Sequence, residues 1–206
     1  MEGFALAEWR RTVAELYSRV RAAGDDEAAK RRAVAEFRDA RDRLFAHHPC
    51  SPLEPGAREG FRGLSYYAYD PRWRVTGLAD LAVEPHEWSV PLPEGAMRCT
   101  RIATVKFRLG TVASSLDVFW LEGYGGGLFL PFRDGTTGDE TYGGGRYLYD
   151  SIKGADLGTS GGAMNLDFNY AYNPSCAYSD KWVCPLAPPR NTVPVEITAG
   201  EKTFLR

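Results

Sequence analysis

The residue types best suited to chemistry in this sequence gather between Glu122 and Cys184, where glycines, aromatics and polar side chains alternate at short spacing. Gly143, Gly144 and Gly145 run directly into Arg146. Successive glycine amides and a planar guanidinium can surround a carboxylate or a phosphate. The same letters also describe a tight hairpin turn with an exposed arginine, because glycine fits backbone conformations other residues resist. Further on, Asn165, Asp167 and Asn169 fall on one side of a strand expected over 164–170, opposite Met164, Leu166, Phe168 and Tyr170. As the lining of a curved sheet, that face makes Asp167 an acid, a base or a cation partner. As an outer face it is simply solvated.

The four cysteines and three histidines carry weaker signals. Cys176 and Cys184 can be read as a metal pair, a disulfide, a nucleophile with a neighbour, or packed thiols. Zinc sites favour tighter pairs with further Cys or His ligands, and a nucleophilic thiol needs a base or a lowered pKa. Packed or loop-stapling cysteines are therefore expected, with no metal and no cofactor. His47 and His48 close a helix, where histidine suits the negative end of the dipole. There is no Ser-His-Asp arrangement, phosphate loop or dinucleotide fingerprint.

Composition narrows the partners. The chain has 206 residues, 25 basic against 27 acidic, for a formal net charge of −2. That balance gives no field to attract nucleic acid or an anionic membrane. No apolar run approaches the roughly 18 residues that span a bilayer, and the first residues lack the basic-then-apolar order of a signal peptide. A cytoplasmic protein with reduced thiols is the expectation. The 22 glycines and 13 prolines suit strands and turns better than a helix bundle.

Elements that would position these residues follow from periodicity. Trp9, Val13, Leu16, Tyr17 and Val20 recur at spacings of three and four, which predicts a helix from about Phe4 to Arg21. Gly24 stops it, and Asp25-Asp26-Glu27 opens a second helix that runs to about His47. Its stripe is Val34, Phe37, Leu44 and Phe45, with Arg41 near the middle. A guanidinium there must snorkel outward, meet a buried acceptor, or reach a ligand pocket. A Pro/Gly-bearing connection over 49–63 holds one short helical turn near Pro55–Phe61.

Beyond it the period becomes two, with strands expected at Ser65–Tyr69, Arg74–Leu81, Arg101–Leu109 and Val112–Leu121, the last two as a hairpin. Glu84–Gly95 reads as a loop or an edge. A glycine turn feeding a strand recurs at Tyr124–Leu130, Tyr142–Leu148 and Ser160–Leu166, at intervals of 18, and points to an antiparallel meander. The fold class is α+β: two N-terminal helices, then a mostly antiparallel, strongly curved or barrel-like sheet. Residues 1–48 form a helical pair packed on a β-rich body over 49–206, one compact domain overall.

The chain resembles a known family, DUF1684, over roughly Arg41 to Lys202 and most strongly from Tyr124 onward. The resemblance is carried by S-P-L at Ser51–Leu53, F-R-G-L-S-Y-Y-A-Y-D-P at Phe61–Pro71, and P-F-R-D-G-T-T-G-D-E-T-Y-G-G-G-R-Y-L at Pro131–Leu148. It continues through K-G-A-D-L-G at Lys153–Gly158, L-D-F-N-Y-A-Y-N-P-S-C-A-Y at Leu166–Tyr178, C-P-L-A-P-P-R-N at Cys184–Asn191 and A-G-E-K at Ala199–Lys202. It implies that Tyr142, Gly143–Gly145, Arg146, Asp167, Asn169, Asn173, Cys176, Tyr178, Cys184, Pro185, Asn191, Glu201 and Lys202 belong to the family's shared pattern. It implies no reaction, because the family is named for a domain of unknown function. Arg190 departs from it, standing where the family tends to carry an acidic residue.

The expectation is a metal-independent enzyme, or enzyme-like pocket, for a small anionic molecule bearing a carboxylate or phosphate. Asp167, Arg146 and Tyr142 form its catalytic set. Gly144, Gly145, Asn169, Asn173, Tyr178 and Arg41 bind substrate, and Cys176 and Cys184 are held open for a thiol role. Hydrolase, lyase and isomerase chemistry are not separated. The alternatives are a non-catalytic small-ligand-binding module, and a structural protein whose helix pair offers a homodimer face.

Overall fold

The helical spacing of the first residues is realised in the computed structural model, which describes residues 2–92 and 94–205. Helix α1 spans Glu2–Ala22 and α2 spans Glu27–His47. The Asp26 carboxylate caps α2 by accepting from the Ala28 and Ala29 amides at 2.8 and 3.2 Å, satisfying donors the first turn leaves open. The apolar faces are used internally. Leu16, Tyr17, Val34, Phe37 and Ala40 are buried in the same core as the sheet residues Val105, Leu130, Leu148 and Leu166. A short helix, α3 (Pro55–Glu59), lies in the connection. No helix among the described residues is long and apolar enough to cross a membrane.

The strands are β1 (Arg74–Asp80), β2 (Glu87–Pro91), β3 (Ala96–Leu109), β4 (Val112–Leu121), β5 (Gly127–Phe132), β6 (Arg146–Asp150), β7 (Thr159–Ser160) and β8 (Ala163–Asp167). They form one curled antiparallel sheet in the order β6-β5-β4-β3-β1-β8-β7, with β2 added to β3, so the fold is α+β as expected. Strand β3 is the spine: its first half pairs with β2 and its second with β1, on either side of an irregularity between Arg101 and Ala103. Such irregularities sharpen twist and help a sheet curl. Gly77 of β1 permits the tightest approach in the curl, since a Cβ there would lie 2.3 Å from Val105 Cγ2.

Two expectations need correction, and between them a third, left open as two alternatives, is resolved. Ser65–Tyr69 is not a sheet strand: its backbone pairs with the C-terminal segment, through Tyr67 N to Gly200 O and Lys202 N to Ser65 O. The segment expected as a loop or edge contains the edge strand β2. The strand expected over 164–170 ends at Asp167, and Phe168–Tyr170 turn as a 3-10 helix with the Asp167 side chain at its start. The alternation therefore breaks, and Asn169 is buried rather than sharing an open face with Asn165.

All three glycine turns feed strands (β5, β6 and β8). Only the first two continue a meander, because β8 crosses to the far side and pairs with β1. The C-terminal segment closes the body without regular strands. Val193, Ile197 and Ala199 are core residues, and Gly135 N to Val195 O and Glu201 N to Ala171 O tie the segment down.

Candidate functional site

Arg41, in the middle of the apolar stripe of α2, does not snorkel. Its Nη2 donates to Glu201 Oε2 at 2.8 Å and its Nε donates to Tyr66 Oη at 3.1 Å. The guanidinium carbon lies 5.2 Å from the ring centroids of both Phe45 and Tyr172. Glu201 is fully buried and receives three further donors: Asn173 N and Asn173 Nδ2, each at 3.2 Å, and the Tyr178 hydroxyl. Burial pushes the Glu201 carboxyl up from the ordinary carboxylate range; Arg41, Tyr178 and Asn173 pull it back without cancelling that shift. Such a node is held by good geometry, and removing one partner strands the other charge out of water.

In front of this node is a cavity of about 150 Å³ between α1, α2 and the segment 172–182. That is the scale of a cavity that admits one aromatic ring. Aromatic walls come from Trp9, Phe37, Phe45, Tyr147, Tyr172 and Trp182. Arg10, Arg41 and Lys153 supply charge, and no acidic residue among the described ones lines it. Asp150, which pairs with Lys153 Nζ at 3.2 Å, and Glu201 sit behind the wall.

Two lining side chains have polar atoms without partners. Tyr17 Oη and Asn173 Oδ1 are buried and make no hydrogen bond, although the two residues are 1% and 2% exposed. Burial pushes the Tyr17 hydroxyl up, so it is a neutral donor. An unsatisfied buried donor or acceptor costs about 1–3 kcal/mol, and such groups beside a cavity point to something that meets them.

The sequence-expected residues divide among separate places. Arg41, Asn173 and Tyr178 line the cavity. Arg146 does not: it is 1% exposed, with Nη2 donating to Asp134 Oδ2 at 2.8 Å and to Ile197 O at 3.1 Å. Its Nη1 donates to the carbonyls of Ala199 and Glu201. This cage faces the C-terminal segment, not an open anion site. Gly144 and Gly145 shape the turn before it. A Cβ at Gly144 would lie 2.4 Å from the Tyr142 ring, and Gly145 has φ +85° with Phe132 O 2.6 Å from where its Cβ would be.

Asp167 borders a different, shallower crevice with Arg21, Lys30, Arg74 and Asn165. Its Oδ1 accepts from Asn169 N and Nδ2, and Asn169 in turn brackets Asp70 through Nδ2 to Asp70 O and Asp70 N to Oδ1. Tyr142 and the cysteines lie together, with the Tyr142 hydroxyl donating to Cys176 Sγ at 3.6 Å and Cys176 N donating to Cys184 Sγ at 3.3 Å. No disulfide joins them, and among the described residues no three His, Cys, Asp or Glu side chains gather as metal ligands. Arg190 is 2.7 Å from Asp117 Oδ2, next to Asn191, which is fully buried and bonded to the Asp117 backbone.

Sequence reasoning missed Tyr17 and Lys153 as cavity residues. Tyr17 was visible only as one more apolar position of the first helix, and Lys153 only as the first residue of the K-G-A-D-L-G segment. Glu201 was marked only as part of the shared pattern.

The comparisons agree with this picture at the level of family and fold. No curated protein matches the chain. An uncharacterised protein of Haloarcula marismortui, solved in solution by NMR, is similar at 37% identity, over 82% of this chain and 92% of that one, with a TM-score of 0.60. Residues 59–202 match the family described as protein of unknown function (DUF1684), and this chain belongs to that family.

Proposed function

We propose that this protein binds a small carboxylate with an apolar or aromatic body in the cavity between α1 and the segment 172–182. The observation that carries the reading is a pair of unpartnered polar atoms on two lining residues, Tyr17 Oη from α1 and Asn173 Oδ1 from the segment 172–182. A hydroxyl donor and an amide acceptor, buried beside aromatic walls, match a ligand that is mostly apolar with a few polar points. Arg41 and Lys153 are each paired, with Glu201 and Asp150, so Arg10 and the lack of a carboxylate among the described lining residues are what favour an anionic end. Carboxylate is favoured over phosphate by size, since it leaves more of about 150 Å³ for the rest of a molecule.

Binding without chemistry is the better-supported form. Glu201, the carboxylate that holds the lining residues Arg41, Tyr178 and Asn173, already accepts from all three on its two oxygens. A group so occupied is poorly placed to take a proton from a ligand.

Calorimetric titration with benzoate and, in parallel, with the neutral isostere benzyl alcohol tests this reading. One saturable site for benzoate is expected, with benzyl alcohol weaker and Lys153→Gln reducing benzoate affinity by at least about fivefold, near the 1 kcal/mol of a half-exposed ion pair. Equal affinity for both compounds, or none for either, would remove the anionic ligand from the account.

A further inference from the structure

We infer that Cys176 and Cys184 form a reversible dithiol–disulfide site at the edge of the cavity, oxidised by low-molecular-weight disulfides. The two residues are eight apart, yet Cys184 Sγ sits 3.3 Å from the Cys176 amide nitrogen. With an N–Cα bond of about 1.46 Å, that sulfur is within about 4.8 Å of Cys176 Cα. A sulfur this close to the other residue's Cα lies within reach of that residue's own sulfur by side-chain rotation, as a bridge spanning roughly 4.4–6.8 Å from Cα to Cα requires. The thiols also hydrogen-bond to one another. Each residue is partly exposed, so a small oxidant can approach, whereas Cys99 is fully buried.

The surroundings assign the order of attack. Tyr142 Oη donates to Cys176 Sγ at 3.6 Å, and a hydroxyl donor favours a thiolate over a thiol. The Cys184 thiol is pushed up, first by its hydrogen bond to Cys176 and then by burial, so it keeps its proton longer. Cys176 as thiolate attacks one sulfur of the small disulfide, the sulfur–sulfur bond breaks, and one small thiolate leaves. Cys184 then loses its proton and attacks the Cys176 sulfur in the mixed disulfide, expelling the second small thiolate. The two protons from the protein thiols end on the two small thiols, so the protein loses two electrons and the oxidant gains them.

The bridge would staple a segment the cavity depends on. Tyr178, which donates to Glu201, and Trp182, a wall residue whose Nε1 donates to Pro52 O at 3.2 Å, both lie between the two cysteines. Because the sulfurs are already adjacent, oxidation fixes the segment near its reduced geometry. This is independent of what the cavity binds.

The test is equilibration of the full chain in buffers of reduced and oxidised glutathione, followed by intact mass, alkylation of remaining thiols and peptide mapping. The expected result is a loss of two hydrogens, a link mapped to Cys176–Cys184, full reversal by dithiothreitol, and a Tm several degrees higher when oxidised. Cys176→Ser and Cys184→Ser should each abolish the link, and Tyr142→Phe should slow its formation in the wild-type background. An unchanged mass in the most oxidising buffer, a persistent glutathione adduct, or a link involving Cys50 would each overturn the inference. The mapping on the unmodified sequence decides it even where a variant folds poorly.

Discussion

Arg41 Nη2 and Glu201 Oε2 meet at 2.8 Å across 160 residues of sequence, joining the middle of α2 to the C-terminal segment in the interior of the protein. This contact makes the wall of the cavity one unit with the core, because Asn173 and Tyr178 hang on the same carboxylate.

Breaking that pair on one side should therefore be far worse than removing it entirely. Glu201→Gln or Arg41→Met alone is expected to lower stability by about 3–5 kcal/mol, since each leaves a polar or charged group buried and unpaired. The double variant should lose less than the sum of the two. Urea denaturation of the four proteins measures the coupling, and strict additivity would mean that the two side chains do not interact.

Arg146 is predicted to act on stability and not on ligand binding. Its cage of Asp134 and three backbone carbonyls loses four acceptors' worth of pairing in Arg146→Met, and about 3–5 kcal/mol is the expected scale. Lysine should not rescue it, because an ammonium cannot reproduce the planar fork. A folded, fully stable Arg146→Met that fails to bind benzoate would return this residue to the site.

Asp167 supplies a pH test. Burial raises its carboxyl above the ordinary value, with the Asn169 side chain and amide acting in the opposite direction. The folded protein thus keeps this proton to higher pH than the unfolded chain does. The stability it contributes is fully present below the ordinary carboxylate pKa and is lost as pH rises through the raised one. Asp167→Asn should match or exceed the wild type at neutral pH, an advantage that shrinks on acidification. A large loss at neutral pH would show that the charge is needed.

Two glycines with nearly equal φ separate backbone strain from packing. Gly125 (φ +88°) has open space around it, while Gly145 (φ +85°) would press a Cβ against Phe132 O and Ala187 Cβ, both at 2.6 Å. Gly125→Ala should cost about 1–2 kcal/mol from the left-handed backbone alone. Gly145→Ala should cost clearly more, with thermal denaturation as the readout. Equal losses would place the whole effect in the backbone.

What was legible in the sequence was whatever depends on near neighbours. The stripe of α2 announced that Arg41 needed a partner, and the strand expected at Arg101–Leu109 lies within β3, where Ala103, Val105, Phe107 and Leu109 form its buried face. The glycine turns marked the starts of β5, β6 and β8. What failed depends on distant chain. Arg146 looked like an anion anchor because three of its acceptors are backbone carbonyls at Ile197, Ala199 and Glu201, and carbonyls leave no trace in residue type. Tyr17 looked like plain core because its cavity exists only once α1 lies against the segment 172–182. Asp167 looked open because the 3-10 turn after it is tied, through Asn169, to the backbone of Asp70 far back in the chain.

An amide NMR titration with benzoate shows whether the cavity beside Tyr17 and Asn173 holds a small carboxylate. Saturable shifts concentrated at Tyr17, Asn173 and Trp182 are expected, with their loss in Val13→Trp, which fills the cavity from the α1 side. Saturable shifts at those residues that survive Val13→Trp, or shifts gathered instead around Arg146 or Asp167, would contradict binding there.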